Sequence, residues 1–262
     1  MRIVTWNCRR ATAKSELWDY LLALAPDVAV LQEVSGLPDE ITSSFSVERM
    51  TPITKDGRQQ RFTNVVLAKG EISEARPLTS QVSWIDEQLC RFAGNLTQMT
   101  VSLPGTQPIE VVSVYSPAWP LDREVWSPED VTDIKLDLNP DLWVADLLHA
   151  ALKERAPTSA DRLVLAGDFN LCESFDLWRK PRGNLEYLTR LASLGLVDAL
   201  RRSQGAMTPT FKGPRHSAVA NQLDYLFVTQ AMSAKLLSCE VGAIEDVIGK
   251  LSDHLPVVAE FS

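Results

Sequence analysis

Two carboxylates stand where short apolar runs give out: Glu33 follows Val28 to Leu31 and Gln32, and Asp168 follows Arg162 to Ala166 and Gly167. A carboxylate at the end of a core strand is costly to desolvate unless a cation or hydrogen-bond donors meet it. No Cys/His cluster is present, so the available ligands are hard oxygens, which suit Mg2+ or, as a substitute, Mn2+. Mg2+ typically takes one or two carboxylates and completes its shell with water and substrate phosphate. An ion held this way polarises a phosphoryl oxygen and stabilises a leaving alkoxide, which is the chemistry of phosphate-ester hydrolysis.

Other polar residues at strand ends supply the remaining parts. Asp168 could take a proton from water and Asn170 could fix that water, while Asn7, Tyr115 and His254 could donate to phosphate oxygens. Pairing of His254 with Asp224 would fix the imidazole tautomer and raise its proton affinity. Each residue also has a plainer use. Gly167 to Asn170 can build an Asx turn, Glu33 can be a surface acid, Asp253 can cap a helix, and Tyr115 can be a core aromatic with its hydroxyl at the surface. His149, within a helical stretch, and His216, in a polar loop, read as structural or exposed.

The elements that must position these groups alternate. Arg2 to Asn7 alternates as a strand, Leu17, Leu21 and Leu24 have helical spacing stopped by Pro26, and Val28 to Leu31 is a buried strand. Asn64 to Ala68, Leu96 to Leu103 and Ile109 to Val114 read as strands, followed by a helix from Asp141 to Leu152 and a buried strand from Arg162 to Ala166. A helix from Asn184 to Leu194 and strands near Gln222 to Val228 and Pro256 to Phe261 complete the series. This order predicts layered α/β architecture with crossover connections, in which ligand sites gather beyond strand ends.

The 262 residues contain no linker or low-complexity run, so the reading is one domain over residues 1–262. A hydrophobic fraction of 45% with 23% charged residues is that of an ordinary globular chain. The start, MRIVTWN, passes directly into a strand pattern without a signal segment, and no apolar run is long enough to span a membrane. Cys8, Cys90, Cys172 and Cys239 are scattered without C-x-x-C spacing, and read as buried free thiols in a reducing cytoplasm. A net charge of -8 argues against coating nucleic acid by bulk electrostatics. It leaves room for phosphate contacts confined to a few loops around a carboxylate-rich metal site.

Taken together and in order, TWN (Thr5 to Asn7), LQEV (Leu31 to Val34), VYSP (Val114 to Pro117), GDFN (Gly167 to Asn170), QLDYLFV (Gln222 to Val228) and SDHLPV (Ser252 to Val257) resemble the endonuclease/exonuclease/phosphatase superfamily of DNase I-like and exonuclease III-like enzymes. The resemblance implies a four-layer α/β sandwich, two packed mixed sheets flanked by helices, with the site at one end. It implies Glu33 as the main metal ligand, Asn7 in the metal shell and Asp253 near the metal. It further implies Asp168 activating or positioning water, with Asn170 its companion on the phosphate, and Asp224 orienting His254, which contacts phosphate.

The sequence departs from abasic-site members at Arg9 and in the Trp-poor stretch before QLDY. Tyr115 favours exonuclease III-like members, and the inositol polyphosphate phosphatase signature is missing from QLDYLF. These features imply a metal-dependent phosphodiesterase acting on nucleic acid, with a hydrolase of small phosphoesters or nucleotides as the alternative and a catalytically silent interaction module as a third reading. Arg9 suits electrostatic stabilisation of a phosphate. Trp178, Arg179 and Lys180 in the basic WRKPR run suit a phosphate backbone, with Trp178 stacking on a base or sugar. The acidic stretch from Ala118 to Leu142 is long enough for a lid or partner surface. Neither a membrane nor an obligate protein partner is expected.

Overall fold

The computed structural model describes all 262 residues and contains two six-stranded sheets. The strands are β1 (Arg2–Ala11), β2 (Val28–Val34), β3 (Ser46–Met50), β4 (Thr63–Ala68), β5 (Glu71–Pro77), β6 (Leu96–Ser102), β7 (Ile109–Tyr115), β8 (Leu163–Asp168), β9 (Val197–Asp198), β10 (Asp224–Val228), β11 (Leu236–Val241) and β12 (Val257–Phe261). One sheet runs β11-β12-β1-β2-β4-β3 and the other β5-β6-β7-β8-β10-β9. Each sheet has one parallel pair, β1 with β2 and β7 with β8; the other pairings are antiparallel. A parallel pair needs a crossover, supplied by the helix Leu17–Ala23 in the first sheet and by a long connection containing the helix Val144–Arg155 in the second.

Period-2 alternation decides what each strand face meets. Ile3, Val28 and Val30 point between the sheets toward Val111, Val164 and Leu226. The neighbouring Val4, Ala29 and Leu31 face outward under Leu17, Trp18 and Leu21. On the other side, Val112, Leu163 and Leu165 pack with Leu89, Leu147 and Leu191 from three helices. Central strands buried on both faces explain the near-continuous apolar runs of β2 and β8. The fold is the four-layer α/β sandwich expected, and no helix is long and apolar enough to cross a membrane.

Several boundaries differ from the sequence reading. The helix expected from Asp141 begins at Val144, because the Asp146 carboxylate accepts the Trp143 N–H at 2.8 Å and closes the first turn there. β3 and β5 lie at sheet edges and are half-exposed and charged, so their alternation is weak. Ala118 to Leu142 is not a free lid: Leu121, Trp126 and Leu136 are buried in the helical layer, and Arg190 binds the carbonyls of Ile134 and Lys135. Cys90 is exposed, unlike the other three free cysteines.

Candidate active site

The C-terminal ends of the two parallel pairs meet at one end of the sandwich, and their registers line up the polar residues. In the second sheet Tyr115, Asp168 and Asp224 form one cross-strand row over β7, β8 and β10. Gly167 allows it. Its φ is +151°, and a Cβ there would lie 1.8 Å from the Val114 carbonyl oxygen, so only glycine lets β8 pass β7 at that distance. In the first sheet Asn7 pairs with Gln32, after which both strands leave regular pairing.

That irregularity aims side chains. Arg9, Arg10, Glu33 and Asn170 all have left-handed backbones, with φ of 47°, 61°, 55° and 51°, and account for four of the seven such non-glycine residues in the chain. Each costs on the order of 1–3 kcal/mol unless its surroundings over-determine it, and such strain gathers at functional sites. The two arginines bulge out of β1 between Asn7 and Ala11, and Glu33 turns out of β2.

A pocket of about 360 Å3 results, lined among others by Asn7, Arg9, Glu33, Tyr115, Asp168, Asn170, Asp253 and His254. Asp168 is its most heavily bonded acid. Its Oδ2 accepts from Asn7 Nδ2 at 3.0 Å and Asn170 Nδ2 at 3.3 Å, and its Oδ1 accepts the Asn170 N–H at 2.9 Å. Asn170 also donates to the Ser116 carbonyl at 2.8 Å. Glu33 Oε1 accepts the Tyr115 hydroxyl at 2.9 Å, and Oε2 lies 3.7 Å from Arg10 Nε. Arg9 Nε stands 3.7 Å from Asp253 Oδ2.

His254 is buried, and its Nδ1 is 2.8 Å from Asp224 Oδ2, which also accepts the Thr210 hydroxyl at 2.6 Å. Thr210 has no distinguishing signal in the sequence, although it fixes the acid that fixes the histidine. Ser252 does comparable work, donating to the Asn7 carbonyl at 2.7 Å and accepting the His254 N–H at 3.1 Å. Phe211 lies over the imidazole at 4.6 Å, and Trp119, Gln60 and Ile53 complete the pocket wall.

The electrostatics follow from these contacts. Burial opposes a charge on His254, but the Asp224 carboxylate and its hydrogen bond prevail and raise the pKa to about 9. Burial raises Asp168 to about 7 and Asp224 adds to the shift, against the opposing charge of His254. Burial, then Glu33 and Asp168, push the Tyr115 phenol well up, keeping it a donor.

Ligating atoms of Asp168, Asp224 and His254 lie within 4.8 Å of one another. Oδ2 of Asp224 is nevertheless taken by the imidazole and Thr210, its Oδ1 is buried without a hydrogen-bond partner, and a protonated His254 beside it repels a cation. Glu33, Asn7 and Asp253 instead offer oxygens to the open pocket without a thiol among them, and this donor set fits a hard divalent ion. Trp178, Arg179 and Lys180 do not line this pocket. Trp178 packs edge-on against Phe175, while Arg179 and Lys180 border an adjoining cavity.

No curated protein gives a significant sequence match. Among solved structures, the chain is similar to an AP endonuclease from Archaeoglobus fulgidus, with 17% identity and a TM-score of 0.71, covering 100% of this chain and 99% of that one. A 3'-5' exonuclease (NExo) from Neisseria meningitidis has 22% identity and a TM-score of 0.68, with both chains covered in full. A structure described as the 3' phosphatase NExo from Neisseria, bound to a product DNA hairpin, has 22% identity and a TM-score of 0.65, covering 100% and 99%. Residues 4–254, which carry five of the six segments whole and the sixth as far as His254, match the profile of the Endonuclease/Exonuclease/phosphatase family, and the chain belongs to that family.

Proposed function

We propose that this protein is a Mg2+-dependent phosphodiesterase that hydrolyses nucleic-acid phosphodiesters. The observation that supports it best is the single pocket in which metal-type oxygens and a cationic imidazole from the strand ends and loops of the first sheet face a buried acid and an amide from the second. Bound at Glu33 and Asn7, with Asp253 close by, a divalent ion would supply Lewis-acid polarisation of the phosphoryl group. Tyr115 holds the Glu33 carboxylate in place through its hydroxyl. Asp168, with a raised proton affinity and two amides on its oxygens, receives the proton of the attacking water, and Asn170 positions that water. His254, protonated by virtue of Asp224, donates from Nε2 to a phosphoryl oxygen as charge develops there. Arg9 adds a second positive group at the mouth.

The nucleic-acid part of the reading is supported by exposed cations around the pocket, Arg9, Arg10, Arg179 and Lys180. The Neisseria relative bound to a DNA hairpin is in keeping with it. A panel of supercoiled, linear, single-stranded and abasic DNA, RNA and inositol phosphates, with Mg2+, Mn2+ or EDTA, tests it. Cleavage of a nucleic acid that EDTA abolishes is the expected result. Rapid hydrolysis of a small phosphomonoester with every nucleic acid intact would leave the phosphoesterase and remove the nuclease.

A further inference from the structure

Behind Asn170 lies a second cavity of about 210 Å3, between the loop after β8 and the helices Val144–Arg155 and Asn184–Ser193. Pro117 and Asn170 line both this cavity and the catalytic pocket. A group seated in one is therefore a short covalent tether from a group in the other. Four rings, Trp143, Phe169, Phe175 and Tyr187, form part of the wall, and the polar groups among them are the amides of Asn139, Asn170 and Asn184, Ser116 and the Asp146 carboxyl. Arg179 and Lys180 stand at its border and are exposed. The Arg179 guanidinium is stacked 3.8 Å from the centre of the Phe175 ring, so it is preorganised.

A wall that combines rings with amides and a carboxyl suits a flat heterocycle carrying polar groups at its edge, and cations at the border suit the phosphates attached to it. We propose that this cavity receives one nucleobase of the substrate, unstacked from its neighbours and seated next to the catalytic pocket, across the wall that Pro117 and Asn170 share. The inference rests on the nucleic-acid reading above and adds to it a base-binding subsite. Extruding a base costs stacking energy, which contact with the ring-lined wall restores. An abasic residue offers nothing to fill the cavity. The enzyme therefore favours an intact nucleotide next to the cleaved phosphate.

The test uses the full chain with Mg2+ and oligonucleotides carrying either a normal nucleotide or a tetrahydrofuran abasic residue on each side of the cleaved bond. At one of the two positions the base-bearing substrate should be processed with a kcat/KM about tenfold higher, the scale of one base–aromatic contact. Ala145→Leu, which fills the cavity from the start of the helix Val144–Arg155, should remove that preference while leaving hydrolysis of bis(4-nitrophenyl) phosphate unchanged. Leu136→Phe fills the cavity from a loop if the helix variant does not fold. Equal rates with and without the base at both positions overturn the proposal, and so does a preference that survives in the filled variants. Oligonucleotides left uncut while the small diester turns over would instead show that the nucleic-acid reading itself has failed.

Discussion

Glu33 answers two demands at once. Its left-handed backbone turns the carboxylate out of the β2 pleat, and its two oxygens meet Tyr115 on one side and Arg10 on the other. Glu33→Gln keeps the shape and loses the charge that would hold a hard cation. At limiting Mg2+ the variant should lose activity on the order of 100-fold or more, the upper range seen even for residues that only support a metal ligand. Excess metal should restore part of it. A Mg2+ titration of turnover checks this, and a curve superimposable on wild type would strike Glu33 from the ligand set.

At the scale of elements, the decisive join is β7 against β8, where Gly167 sets the spacing that places Tyr115 beside Asp168. A methyl at residue 167 would meet the Val114 carbonyl, so Gly167→Ala should cost about 3 kcal/mol or more, as strained or overpacked core positions do. Denaturant unfolding measures it, and a loss under about 0.5 kcal/mol, typical of neutral surface changes, would refute the close-approach argument. The helix Val144–Arg155 makes a second case. Asp146 is buried, and burial raises its pKa to about 7 against the partial relief given by the Trp143 N–H. Folded Asp146 thus binds its proton more tightly than the unfolded chain does, so the stability it contributes is present at low pH and is lost as pH rises from about 4 through about 7. Asp146→Asn cannot ionise, and should gain on wild type by on the order of 1–3 kcal/mol between about pH 5 and about pH 8. Parallel Tm-against-pH curves for the two proteins would show that Asp146 is not held in this way.

The whole molecule explains why some of this is legible in the sequence and some is not. Glu33 and Asp168 are visible because strands buried on both faces make near-continuous apolar runs, and a polar residue ending such a run stands out, whereas Tyr115 ends a strand interrupted by Glu110 and Ser113 and is marked by its place in VYSP. Thr210 and Ser252 give no such signal: their work depends on Asp224, Asn7 and His254 being brought together from distant segments. The bulge at Arg9 and Arg10 is equally hidden, since nothing in the residue types dictates a left-handed turn there. Charge also has to be judged on the whole molecule. With a net charge of -8, the protein repels a polyanion over most of its surface, so productive approach depends on local cations at the pocket end. Arg179 and Lys180 are exposed and border the cavity beside the pocket without touching the groups proposed for chemistry. Replacing both with Ala should lower the slope of log binding constant against log salt by about 0.7–0.9 for each phosphate that is no longer neutralised. It should raise KM more than it lowers kcat, because a cation on the backbone acts on ground and transition state alike. Hydrolysis of a small diester, too short to reach these cations, should be unaffected. Oligonucleotide binding across a salt series decides the matter: an unchanged slope in the double variant would mean that the backbone follows another path to the pocket, over Arg9 and Arg10 alone.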